Sequence, residues 1–110
     1  MHIFQRNLHI YIIINFARIT SSKKRPAVVI ATLHGDDFIC CQITSEARFD
    51  DYSIVLKNSD FNKDGLKQQS TIRPNKMFTA DQSIILYKVG TLKVSKLAEV
   101  KQTIVKILTA

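Results

Sequence analysis

Lys23, Lys24 and Arg25 form a cationic triplet directly ahead of an apolar segment, Pro26-Ala27-Val28-Val29-Ile30, and three hydroxyl residues, Thr20, Ser21 and Ser22, precede it. Such a cluster suits a phosphate backbone, which rewards grouped Lys and Arg whatever the base sequence. It serves equally well as a solvated basic surface. Charge is unevenly placed along the 110 residues. Positions 1–35 carry five cations and no acid, 36–64 carry seven acids against three bases, and 65–110 carry eight bases against two acids, for a net +7. Two basic segments therefore bracket an acidic middle.

Other reactive groups do not assemble by spacing. Asp60, Asn62 and Asp64 with Gly65 stand at positions 1, 3, 5 and 6 of a calcium-type loop, but Thr71 occupies position 12, where a bidentate Glu is required, and no flanking helices are expected. Cys40-Cys41 with His2, His9 and His34 lacks paired zinc-ligand spacing. Phosphate-cradling glycine motifs and H-E-x-x-H are missing. No metal or cofactor is expected. Adjacent cysteines on one strand point to opposite faces, so they read as reduced, half-buried apolar residues in a cytoplasmic setting.

The elements that must hold these groups are mostly strands. Ile- and Val-rich runs separated by polar clusters place strands at 8–16, 26–32, 38–44, 53–57, 70–73, 76–79 and 84–89, with a basic loop over 17–25. Gly35-Asp36-Asp37 marks a hairpin, and 58–69 reads as a long polar connection. The period changes at the end of the chain. Leu97, Val100, Ile104 and Leu108 follow helical spacing, and Ser95 is placed to cap that helix. The apolar run 8–16 is broken by His9 and Asn15 and falls short of the ~20 residues that span a bilayer. No membrane association or cleaved leader is expected, and 1–110 reads as a single domain. The expected fold class is mainly β with a C-terminal helix, a small, strongly curled sheet or barrel.

Three blocks occur in order: Lys23-Lys24-Arg25-Pro26-Ala27-Val28-Val29-Ile30, Cys41-Gln42-Ile43-Thr44-Ser45, and Ser70-Thr71-Ile72-Arg73-Pro74-Asn75-Lys76-Met77-Phe78-Thr79. Together they closely resemble the MazF/PemK family of bacterial toxin endoribonucleases, in its K-R-P-A, I-T-S and S-x-I-R-P-[DN]-K segments. Gly90-Thr91-Leu92 is similar to a further G-x-L of that family. The resemblance runs from about Phe16 to the C-terminus and is weaker before it. Asn7-Leu8-His9 stands where a Gly-acid pair is usual, Asn15-Phe16-Ala17-Arg18 replaces a Pro-rich turn, and Gln42 stands where many members have Pro.

The resemblance implies an SH3-like small barrel of the plasmid-maintenance toxin type, in a homodimer. It also implies metal-independent, sequence-specific cleavage of single-stranded RNA, inhibition of translation, and a cognate acidic antitoxin. Such cleavage uses the neighbouring 2′-hydroxyl as nucleophile and leaves a 2′,3′-cyclic phosphate and a 5′-hydroxyl. Arg25 matches the family's catalytic arginine and Thr44 its I-T-S threonine. Charge stabilisation is assigned to Arg25, whose pKa above ~12 makes it a poor base. Thr44 positions the phosphate or the attacking oxygen. Lys23, Lys24, Ser45, Arg73 and Asn75 are the RNA-binding candidates. Asn75 cannot accept a proton where some relatives have Asp as general base. Phe49, Tyr52, Phe61 and Phe78 are candidates for base stacking or for the core. The alternatives are a gyrase-binding toxin, since related barrels act that way, and an inactive relative that binds antitoxin without cutting RNA.

Overall fold

The computed structural model describes residues 10–15, 24–46, 50–66 and 69–110, the first of these and Lys24 as backbone only. Among the described residues seven strands, β1 (Ile10–Asn15), β2 (Lys24–Thr32), β3 (Asp37–Thr44), β4 (Ile54–Leu56), β5 (Phe61–Asp64), β6 (Ser70–Asp81) and β7 (Ile85–Leu92), precede one helix, α1 (Val94–Thr109). Their order in the sheet is β4-β6-β3-β2-β1-β7-β5, antiparallel throughout. The edge strands β4 and β5 are joined by only Lys57 and a 3-10 turn at Asn58–Asp60. So short a link forces the sheet to curl until its edges nearly meet, giving a half-barrel.

Alternation along each strand divides the apolar residues between two faces. Val28, Cys41, Ile43, Ile54, Leu56, Ile72 and Leu92 line the inner face and are covered by Leu97, Val100 and Ile104 of α1. Each such side chain contributes about 1.5–3 kcal/mol when taken from water. Lys96 fastens the helix across the gap between the edges: its Nζ donates to the Val55 carbonyl at 3.1 Å and pairs with Asp60 at 3.5 Å.

The outer face is apolar at one end only. Ala27, Val29, Phe38 and Cys40 pack there with Ala80 and Ile85. The β6–β7 connection, a 3-10 turn at Gln82–Ile84, must pass from one side of the central strands to the other and covers this cluster. The Gln82 amide donates to the Asp36 carbonyl at 2.8 Å, tying the crossover to the hairpin.

Several expected boundaries move. The 58–69 connection contains β5, an edge strand in which only Phe61 is buried and which is held by backbone pairing to β7. The separate strands at 70–73 and 76–79 are one strand, β6, running through a buried Pro74. Arg25 belongs to β2 rather than to the preceding loop. Helix α1 starts at Val94 behind Lys93, so Ser95 lies within its first turn and caps nothing. The Lys93 amide donates to the Asp60 carbonyl at 2.8 Å, which fixes that start by tertiary contact. Leu108, expected on the buried stripe, is 70% exposed.

Candidate functional site

The uncovered end of the outer face is polar. Arg25 lies two residues before Ala27 on β2 and is exposed. Ala27 pairs with Gln42, and Gln42 pairs on its other side with Arg73. Thr44 pairs with Thr71, which pairs in turn with Val55. Pairs directly opposite share a face, so Gln42, Thr44, Thr71 and Arg73 stand together on the side away from α1. Carrying the β2–β3 register two residues past Ala27–Gln42 brings Arg25 level with Thr44.

Between Gln42–Arg73 and Cys41–Met77 the ladder skips Pro74, Asn75 and Lys76, which have no counterpart on β3. A bulge of this kind leaves residues unpaired and bends the strand. Pro74 turns inward and is fully buried, while Asn75 and Lys76 are exposed. Proline is tolerated here because its missing N–H falls where no ladder bond is made.

Thr44 Oγ1 accepts a hydrogen bond from the Glu46 amide at 3.1 Å, closing the turn that follows β3. The hydroxyl still has its proton to donate, so the turn does not exhaust it. Arg73 Nε is buried and has no hydrogen-bond partner. Asp50 Oδ1 accepts from the Tyr52 amide at 2.9 Å, the Ser53 amide at 2.8 Å and the Ser53 hydroxyl at 2.8 Å. The Ser53 hydroxyl, then the Tyr52 amide, hold the Asp50 carboxyl below its ordinary range, and the positive charge of Arg73 acts in the same sense.

Cys40 and Cys41 are fully buried on opposite faces rather than half-buried, and both are free thiols. Desolvation pushes each up to about 12, which keeps them protonated and poor nucleophiles. Among the described residues no three His, Cys, Asp or Glu side chains converge as a metal site requires, and no helix is long and apolar enough to cross a membrane.

Of the sequence candidates, the structure thus brings Thr44 and Arg73 onto one face with Arg25 beside them. Ser45 follows Thr44 in the exposed turn, and Asn75 projects from the bulge. Lys23, with Thr20, Ser21, Ser22 and Phe49, lies outside the described residues, and Lys24 is seen only as backbone at the start of β2. Phe61 belongs to the inner core and Phe78 packs half-buried on the outer cluster, whereas Tyr52 is exposed. The sequence reading gave no role to Asp50 or Lys76. Asp50 is followed at two and three residues by the amides it binds, a spacing that favours an Asx-type turn.

A half-barrel closed by a terminal helix, with a polar patch bearing Arg25 and Arg73 at its uncovered end, defines a small sheet protein with one face left open. The family model described as PemK-like, MazF-like toxin of type II toxin-antitoxin system matches residues 9–108, and the chain belongs to that family. Among solved structures, that of MazE–MazF from Deinococcus radiodurans superposes with a TM-score of 0.75 at 18% identity, covering 98% of both chains. MazF alone from the same organism gives 0.73 at 18% identity, over 97% of this chain and 99% of that one. A mycobacterial endoribonuclease in complex with its cognate antitoxin gives 0.73 at 10% identity, over 93% of both chains. At these identities the superpositions establish the fold. No curated protein matches the sequence.

Proposed function

We propose that this toxin is a sequence-specific, metal-independent endoribonuclease that cuts single-stranded RNA, acts in the cytoplasm to stop translation and growth, and is restrained by a cognate acidic antitoxin. The observation that carries the reading is the gathering of Thr44 and Arg73, with Arg25 level beside them, at the uncovered end of one sheet face. Structural relatives described as endoribonucleases, one of them held by its antitoxin, support it.

In this reading the 2′-hydroxyl beside the scissile phosphate attacks phosphorus, the bond to the 5′-oxygen breaks, and the products carry a 2′,3′-cyclic phosphate and a 5′-hydroxyl. The protein aligns that attack and stabilises the charge that builds on phosphorus. The exposed Arg25 offers a planar fork of donors to the phosphate oxygens. Thr44 donates its remaining proton to the phosphate or the attacking oxygen. Arg73 and Asn75 hold the RNA across the bulge, with Lys23, Lys24 and Ser45 adding contacts at the patch. Asn75 contributes hydrogen bonds to base edges rather than proton transfer.

Assembly as a homodimer fits a second feature. Val94, Val105 and Leu108 of α1 are 62%, 57% and 70% exposed. Their spacing of eleven and three residues aligns them along one helical stripe, which adjoins the side buried against the sheet. An apolar stripe of this kind is best covered by a second copy.

The test is incubation of the purified protein with a long unstructured RNA in excess chelator, alongside Arg25→Ala, with mapping of new ends. Cuts at a recurring short sequence that persist with chelator and vanish in the variant support the reading. Intact RNA from folded, dimeric protein overturns it.

A further inference from the structure

We propose that Gln42 reads the edge of one unpaired RNA base and thereby sets part of the sequence preference of the cut. Base reading by Gln42 rests on the nuclease activity proposed above and gives it one of its specificity-determining residues.

Cys41 and Ile43, the chain neighbours of Gln42, belong to the inner core, so Gln42 faces the side of the sheet that α1 leaves open. Ladder pairs hold it on both flanks, to Ala27 of β2 and to Arg73 of β6. Residues directly opposite in such pairs have Cβ atoms about 4.5–5.5 Å apart, so Gln42 and Arg73 can act on one ligand. Along β3, Cys40 lies two residues before Gln42 in the buried outer cluster, and Thr44 two residues after it is half-buried at the polar end. Gln42 therefore stands on the line where the covered apolar half of the outer face gives way to the open polar half.

Gln42 is half-buried, and among the described residues its carboxamide makes no hydrogen bond. Arg73 Nε across the ladder is buried and equally without a partner. Two polar groups side by side on one face, neither satisfying the other, keep their hydrogen-bonding capacity for a ligand.

The chemistry of each group selects what it binds. Arg25 and Arg73 carry donors only, which match phosphate oxygens. A carboxamide places an acceptor beside two donor hydrogens, and the edge of an unpaired base likewise sets a donor beside an acceptor. Asn75 has the same group but stands among the three residues of β6 that have no counterpart on β3. Gln42 is held by backbone pairing on both sides, and a carboxamide on so fixed a strand discriminates between bases more sharply than one on an irregular segment.

Gln42→Met keeps the length of the side chain and removes donor and acceptor together, whereas Gln42→Glu keeps an acceptor and removes the donor. End mapping on RNA of random sequence reads the base preference at each position around the cut. In Gln42→Met a preference of about tenfold is expected to fall below about twofold at one position and to hold at the others. In Gln42→Glu that same position is expected to turn toward adenine and cytosine, whose amino groups donate to a carboxylate. A preference unchanged at every position in Gln42→Met, with cutting retained, overturns the assignment and leaves the nuclease reading standing. A second measurement does not depend on cutting: the Gln42 side-chain NH2 resonances, assigned by their loss in Gln42→Met, are followed during titration with six-nucleotide RNAs of a single base, each 2′-O-methylated so that no nucleophile is present. A shift that differs among the four bases is expected. Such a shift in a protein that does not cut RNA supports the base contact and removes the nuclease reading, whereas neither shift nor cutting overturns both.

Discussion

Gln42 and Arg73 face each other across the β3–β6 ladder at the step where β6 carries three unmatched residues, Pro74, Asn75 and Lys76. The bulge ends regular pairing beside the polar end of the outer face and projects an amide and an ammonium from the sheet next to Arg73. A regular strand would have directed Pro74, Asn75 and Lys76 alternately to the two faces, with a proline lacking a needed donor. The irregularity therefore shapes the candidate site as much as any single side chain does.

Thr44 serves a turn and, in the proposed mechanism, the substrate. Thr44→Val removes both roles, and is expected to cost about 1 kcal/mol in urea unfolding, from the lost bond to the Glu46 amide, together with a ~10- to 100-fold fall in cleavage. Thr44→Ser retains most of both. Cleavage by Thr44→Val at the wild-type rate would assign the hydroxyl to the turn alone.

Gly90 of β7 lies close against the backbone at the end of β5. A Cβ there would meet the Gly65 nitrogen and the Lys63 carbonyl oxygen at 2.9 Å, both backbone atoms that cannot swing aside. Gly90→Ala is expected to destabilise the fold by about 1–3 kcal/mol, read as a lower urea midpoint with an unchanged slope. At Gly35 a Cβ meets nothing within 4 Å, but φ is +78°, so Gly35→Ala pays in backbone strain while Gly35→Asn is tolerated better.

The buried thiols predict a loss of stability in alkali. Unfolded cysteines ionise near their ordinary 9.0, whereas Cys40 and Cys41 in the fold do so only near about 12. The folded state thus binds more protons over that interval, so stability is intact below pH 9.0 and falls as pH rises toward 12. Urea midpoints of Cys40→Ala and Cys41→Ala measured from pH 8 to 11 should fall less steeply than wild type, whatever constant offset the smaller side chain introduces. An identical slope would show that the thiols are not the groups responsible.

The exposed apolar stripe of α1 is where a dimer should break. Val105→Glu and Leu108→Glu alter side chains that are 57% and 70% exposed, so helical content by circular dichroism should be retained. Sedimentation equilibrium should show a monomer where wild type is a dimer. Dimers surviving both substitutions would place the contact elsewhere.

Much of the fold was legible locally. The strands containing Val28 and Ile43 and the hairpin at Gly35 followed from apolar runs and turn residues, and the helix bearing Leu97, Val100 and Ile104 from its 3.6-residue period. Strand β5 escaped because Phe61 is its single buried residue; an edge strand fixed by backbone pairing leaves almost no side-chain pattern. The start of α1 escaped because a hydrogen bond from the Lys93 amide to the Asp60 carbonyl, thirty-three residues earlier, sets it in place of a capping hydroxyl.

For the site, the sequence determined which chemical groups exist and in what order: Arg25 at the head of an apolar strand, Thr44 closing another, and Arg73 and Asn75 on either side of a proline. These are properties of neighbouring residues, and near neighbours in the chain are all that composition and period can relate. Only the tertiary structure decided that Thr44 and Arg73 share one face, and that the β2–β3 register carries Arg25 level with Thr44. Register between strands far apart in sequence sets those relationships, and register depends on the whole curled sheet closing over one core.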